Sequence, residues 1–207
     1  MDKIEIKGLK LDNDSLPEAM EHLESGLEEA VLYTVESVTV DMLKLAETDE
    51  QLRSTLESVS YTVLADWKLL KIAGISDTQR KNEIKEYGYF REMMHRLESA
   101  SKKVFLLGGT VVETERFYRY LKEEYPDCPV GGVAAVEEWA DTSEGIVNEI
   151  NSTAPDAVIC VISSPKRAQF FMENKDKISA SLWYGMDQKR LLTRRHRLNR
   201  WLRRHLH

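Results

Sequence analysis

Short apolar runs that stop abruptly at polar or glycine-rich turns constrain this chain most. Tyr61–Ala65 ends at Asp66, Val104–Leu107 ends at Gly108–Gly109–Thr110, and Ala157–Ile162 ends at Ser163–Ser164–Pro165–Lys166. Apolar runs this short, bounded by turn residues, read as strands buried on both faces. Residues at helical spacing follow each turn. That alternation specifies an α/β fold, a Rossmann-like and mostly parallel sheet with helices on both faces. In such sheets ligands bind beyond the carboxyl ends of the strands, so the three turns are the first places to look for a site.

The remaining elements fit between these runs. Gly8–Asp14 reads as a turn-rich lead-in. Ser15, Pro17 and Glu18 form a helix-start signature for Ala19–Glu29. Ala30–Val40, rich in Val, Tyr and Thr, is predicted as a strand. Helices are predicted at Asp41–Leu56, at Trp67–Ile75, and at Thr78–Ser99 with a break near Gly88. Further along, Glu113–Glu124 is a helix, Val130–Val133 a strand and Ser143–Asn151 a helix. A helix from Arg167 to Asp176 and a strand over Ser179–Tyr184 complete the pattern.

Charge divides the chain in two. Residues 189–207 hold eight Lys or Arg, three His and no acid. The other 21 cations face 35 acids, a balance of −14 over residues 1–188 against −6 for the whole chain. Two units follow, an α/β body at 1–188 and a basic amphipathic tail at 189–207. In the tail Leu198, Leu202 and Leu206 recur every four residues beside Trp201. Arg194, Arg195, Arg197, Arg200, Arg203 and Arg204 flank that stripe. Such a helix suits an anionic membrane surface, where juxtamembrane cations contribute roughly 1 kcal/mol each. Packing of the stripe on the chain's own body or on a second subunit is the alternative. Nucleic acid is disfavoured by the acidic body.

An apolar fraction of 42% with 31% charged residues excludes a disordered chain. No apolar stretch approaches the roughly 18 residues of a membrane span. MDKIEIKGLKLDND lacks the apolar core of a secretion signal, so a cytoplasmic location is expected. Cys128 and Cys160 lack partners at metal-ligand spacing and are expected to be reduced structural thiols.

Each turn has a bland and a functional reading. Gly108–Gly109–Thr110 before a helix allows close approach of a diphosphate, or is simply a tight strand-to-helix turn. Ser163, Ser164, Pro165, Lys166 and Arg167 offer two hydroxyls and two cations at a helix start, a phosphate clamp or a capped helix with solvated cations. Asp66 caps the next helix, or serves as a general base if a cleft opens beside it. His22 and His95 have no matching partners, and no acidic metal motif is present. No metal and no cofactor are expected.

These turns, in this order, resemble the WecG/TagA/CpsF family of bacterial glycosyltransferases. VFLLGGTVVETERFYRYLKEEYPDCPVGG is similar to the family's strand, Gly-Gly, helix and Tyr-Pro segment. EGIVNEINSTAPDAVICVISSPKRAQFFMENKD is similar to its segment ending in Gly-x-Pro-Lys-Gln-Glu, and YTVLADWKLL falls where the family has Asp-Gly. The resemblance spans roughly Glu18 to Gly185. It implies inverting, metal-independent transfer of an N-acetylmannosamine-like sugar from a UDP donor to a polyprenyl-diphosphate-linked acceptor, in envelope polysaccharide or teichoic acid synthesis. A peripheral position on the inner face of the cell membrane goes with it.

The resemblance makes Asp66 the catalytic base and Ser37 a donor-pocket hydroxyl. It makes Gly108 and Gly109 the nucleotide loop, and Pro165 and Lys166 the second loop; Thr110, Ser163, Ser164 and Arg167 beside them are expected to bind substrate as well. Departures from the pattern are Thr39 for Asn, Trp67 for Gly, Ser163 for Gly, Arg167 for Gln and Ala168 for Glu. Thr39 is still expected to bind substrate, and Trp67 to reshape the sugar pocket. The departures motivate a second reading, a degenerate member that binds a nucleotide-sugar or a partner protein without turnover. The oligomeric state, including a homo-oligomer, is left open.

Overall fold

The computed structural model of the protein describes residues 2–29, 31–138, 143–188 and 191–192. Its centre is a six-stranded parallel sheet of β3 (Tyr33–Val38), β4 (Tyr61–Leu64), β5 (Val104–Gly108), β6 (Val130–Ala135), β7 (Ala157–Cys160) and β8 (Leu182–Gly185). The strand order is β4-β3-β8-β7-β5-β6. The predicted fold class is correct, and every pairing in this sheet is parallel.

Strict alternation explains why both faces are covered. Val104 and Leu106 of β5 face one cluster while Phe105 and Leu107 face another; Ile159 against Val158, and Tyr184 against Trp183, repeat the pattern. The first cluster is closed by α1 (Leu16–Glu28), α6 (Gly88–Ser99) and α7 (Val111–Glu124), through Met20, Leu23, Phe90, Met93, Phe117 and Leu121. The second is closed by α8 (Ser143–Ser152) and α9 (Lys166–Asn174), through Ile146, Ile150, Phe170 and Phe171. A third cluster joins α2 (Val40–Leu45), α3 (Glu50–Ser58), α4 (Lys68–Ile72) and α5 (Thr78–Lys85) to the N-terminal strands.

Those strands correct the predicted lead-in. Residues 3–12 form an antiparallel hairpin, β1 (Lys3–Ile6) and β2 (Leu9–Asp12). Lys7 and Gly8 both have positive φ, the two-residue turn that matches strand twist. Ile4, Ile6, Leu9 and Leu11 turn one buried face inward, and that alternation was the overlooked signal. The predicted helix at Asp41–Leu56 is two helices, because Asp49 caps the second by accepting from the Leu52 N–H at 2.8 Å. The break near Gly88 occurs, with Tyr87 at φ 55°. Ser15 starts α1 as read: its N–H and hydroxyl both donate to the Glu18 carboxylate, at 2.9 and 2.5 Å.

The crossovers set up the site. From β5 the chain passes through α7 to β6 on one side. From β7 it passes through α9 to β8 on the other. The carboxyl ends of β5 and β7 are therefore a topological switch point, where a crevice opens between diverging connections.

Candidate functional site

One edge of the sheet gathers all three turns. The Val161 N–H donates to Leu107 O at 2.8 Å, Met186 N–H to Cys160 O at 2.9 Å, and Ala65 N–H to Val38 O at 2.8 Å. The ends of β5, β7, β8, β3 and β4 therefore lie level. Gly108–Thr110 and Ser163–Lys166 leave adjacent strands. Asp66 leaves β4, three strand positions from β7, which at about 4.8 Å per strand is about 14 Å away.

The two glycines of the first turn differ. A Cβ on Gly108 would run into Thr114 Oγ1 and lie 2.8 Å from Thr114 Cβ, so packing of α7 onto β5 requires glycine there. On Gly109 the nearest atom would be Glu113 Oε2 at 3.5 Å, so glycine is not a packing requirement. Thr110 is the N-cap of α7, its hydroxyl accepting from Glu113 N–H at 3.2 Å. Glu137 reaches this helix start as well: its carboxylate accepts from Val111 N–H at 2.5 Å.

In the second turn Ser163 and Ser164 are half-buried and Lys166 is exposed. Pro165, joined to Ser164 by a cis peptide, precedes α9. Arg167 differs from expectation. It points inward, 1% exposed, and its guanidinium pairs with Glu36 of β3. Its Nε donates to Glu36 Oε1 at 2.7 Å, and Nη1 donates to Ile162 O at 2.5 Å and Met186 O at 3.0 Å. A guanidinium already holding a carboxylate and two carbonyls is not an open cation for phosphate, and the Ser164 hydroxyl oxygen is buried, so the clamp reduces to Lys166 and the Ser163 hydroxyl. Burial pushes the Glu36 carboxyl above its usual range, and the guanidinium offsets part of that push.

Ser37 sits at the end of β3, its hydroxyl donating to Tyr184 Oη at 2.8 Å. Burial raises the Tyr184 phenol well above its ordinary value, so the ring stays neutral. Both line a cleft with Asp12, Asp14, Tyr61, Ala65, Arg80 and Tyr89. Tyr61, Tyr89 and Tyr184 stack in series, with centroids 5.8 and 5.9 Å apart. Thr39 uses its hydroxyl to cap α2, accepting from Met42 N–H at 3.2 Å.

Asp66 is 3% exposed, and its Oδ1 accepts from Lys68 N–H at 3.1 Å, the capping role that sequence allowed. The cleft wall includes Ala65 but neither Asp66 nor Trp67. Trp67 instead packs on the third cluster, with Lys81 and Lys85 ammonium groups 4.7 and 5.3 Å from its ring centre. It therefore leaves the cleft unfilled. Glu36, Tyr184, Arg80 and the Asp12/Asp14 pair were missed in the sequence. A lone Glu inside the strand YTVESV was the one legible signal among them.

Among the described residues no three His, Cys, Asp or Glu side chains gather as metal ligands, and no helix is long and apolar enough to cross a membrane. Arg194, Arg195, Arg197, Arg200, Trp201, Arg203 and Arg204 lie outside the described residues. Leu191 and Leu192, assigned to the tail, are buried in the first core cluster.

Comparison with curated proteins returned no match. The family model described as Glycosyl transferase WecG/TagA/CpsF family matches residues 4–203, nearly the whole chain and both diverging turns. The protein belongs to the WecG/TagA/CpsF family of glycosyl transferases.

Proposed function

We propose that the protein is an inverting glycosyltransferase that moves an N-acetylhexosamine-type sugar from a UDP donor to a lipid-diphosphate-linked acceptor. The observation that carries this reading is the switch point at β5 and β7, where Gly109, whose carbonyl accepts from the Glu137 N–H at 3.2 Å, presents no side chain beside the Ser163–Lys166 turn. The donor diphosphate would lie there, with Lys166 meeting its charge. Asp66, at the same edge but 3% exposed, would take the proton from the acceptor hydroxyl once substrate binding opens the edge to its carboxylate. That oxygen then bonds to the anomeric carbon as the bond to UDP breaks, and UDP departs with the electron pair. A single displacement of this kind inverts the anomeric centre. A carboxylate is a weak base in water, so Asp66 would act through positioning. Lys166 and the tail arginines 194–204 would neutralise the leaving diphosphate without a metal ion. The tail would also meet an anionic membrane at the inner face, bringing the lipid acceptor to the edge.

The second reading, binding without turnover, is favoured by two features. Arg167 is committed to Glu36, and Glu137 already takes an α7 amide. Titration with UDP and UDP-sugars separates the readings. Saturation at 100 times the dissociation constant adds about 2.7 kcal/mol of stability. Stabilisation with transfer supports the enzyme, stabilisation without transfer supports the binder, and no stabilisation by any nucleotide removes both.

A further inference from the structure

Arg167 and Glu36 form a buried pair that does more than neutralise itself. Their side chains are 1% and 4% exposed, and the arginine's hydrogen bonds reach three different parts of the edge. Nε and Nη2 hold Glu36, the neighbour of Ser37 on β3. Nη1 holds two carbonyls together: Ile162 O, where the Ser163–Lys166 turn begins, and Met186 O, where the chain leaves β8 toward residue 188. Nη2 also contacts Met42 Sδ of α2 at 3.7 Å. The space is fitted to the pair, since a Cβ on Gly185 would run into the Glu36 carboxylate and lie 2.8 Å from Arg167 Nε. A planar fork with five donors can join three backbone segments at once; a glutamine carries only two N–H groups, and a lysine presents a compact point charge.

We propose that Arg167, oriented by Glu36, is a positioning residue that fixes the Ser163–Lys166 turn and the Met186–Gln188 exit against Ser37. The turn is thereby held at the height from which Ser163 and Lys166 meet the donor. This role rests on the donor reading above only for its consequence in binding; the mechanical link stands on the contacts themselves. A pair that served stability alone would be replaceable by well-packed apolar side chains without effect on either loop.

The test compares Arg167→Gln, Arg167→Lys and the double variant Glu36→Leu/Arg167→Met, which leaves no buried charge and keeps the protein folded if the single variants fail. Amide hydrogen exchange is followed at position 167, whose N–H donates to Ser163 O, at Gln169, whose N–H donates to Pro165 O, and at Met186, whose N–H donates to Cys160 O; UDP binding is followed by calorimetry. The double variant is expected to melt near wild type while exchange at these three amides rises about tenfold or more over the rest of the sheet. UDP affinity is expected to fall on the order of tenfold, with donor KM raised and kcat at saturation little changed. Arg167→Lys is expected to lie between, keeping the bond to Glu36 but losing a carbonyl. Unchanged exchange at both loops in a folded double variant would overturn the proposal. If wild type binds no UDP while the loops still loosen, the donor reading fails and the positioning role stands.

Discussion

Replacing Gly108 and Gly109 separately by alanine separates packing from binding within one turn. On Gly108 the added methyl overlaps Thr114 Oγ1 and lies 2.8 and 3.2 Å from Thr114 Cβ and Cγ2. Thr114 is 2% exposed and cannot swing into solvent; its hydroxyl donates to Thr110 O at 2.6 Å. Overpacking a dense core costs about 1–3 kcal/mol, and disturbing the hydroxyl bond adds about 1 kcal/mol. At roughly 2–4 °C per kcal/mol for a chain of this size, Gly108→Ala is expected to lower Tm by about 4–16 °C. Adding Thr114→Ala returns part of this loss, because Oγ1 and Cγ2 go while Cβ remains. On Gly109 nothing lies closer than 3.5 Å, so Gly109→Ala should hold stability within about 0.5 kcal/mol. On the proposed donor site it should nevertheless weaken UDP binding, since the methyl would stand where the diphosphate is proposed to approach the backbone. Circular dichroism melts and UDP titration of both variants provide the assay. Equal destabilisation by the two alanines, or unchanged UDP affinity in Gly109→Ala, refutes the division.

Three further outcomes follow from the electrostatics. Glu36→Gln leaves the Arg167 charge without its counter-ion in the core; breaking such a pair costs about 3–5 kcal/mol, read as a fall in Tm, whereas Glu36→Leu/Arg167→Met should stay near wild type. Asp156 joins the starts of β7 and β5; slight burial pushes its carboxyl up, but the Lys103 N–H and the Lys102 ammonium outweigh this and hold it below 3.8. A depressed carboxyl stabilises the fold above its unfolded pKa, so Asp156→Asn should melt lower at neutral pH, and the gap should close as pH falls below about 3.8. Burial pushes the Cys160 thiol up to about 12 and raises Cys128 as well, so neither should react with a thiol reagent at pH 8 until the protein unfolds.

The sheet was legible because its strands are buried on both faces, and continuous apolar runs such as VFLL and AVIC have few other uses. The hairpin was not, because four-residue strands alternate too briefly to stand out beside a glycine. The helix break at Glu47–Asp49 depends on one capping carboxylate, which looks like any surface acid in the sequence. Order along the chain placed the three turns at one edge. It did not reveal that Gly108 answers to Thr114 while Gly109 does not, since both glycines read alike. Arg167 was misread for a related reason: a cation beside Lys166 at a helix start suggests phosphate. Only the inward turn of α9, and a glutamate 131 positions away, make it a core residue. Trp67 was expected in the sugar pocket, but it packs on the third cluster under two lysines of α5 and is not part of the cleft lining.

Transfer rate and donor affinity measured side by side for wild type and Asp66→Asn test the central claim most directly. The expected result is a UDP-sugar dissociation constant close to wild type with turnover reduced by about 100-fold or more, as loss of a positioned base requires. Equal turnover in the two proteins would remove Asp66 from the chemistry and, with it, the proposed mechanism.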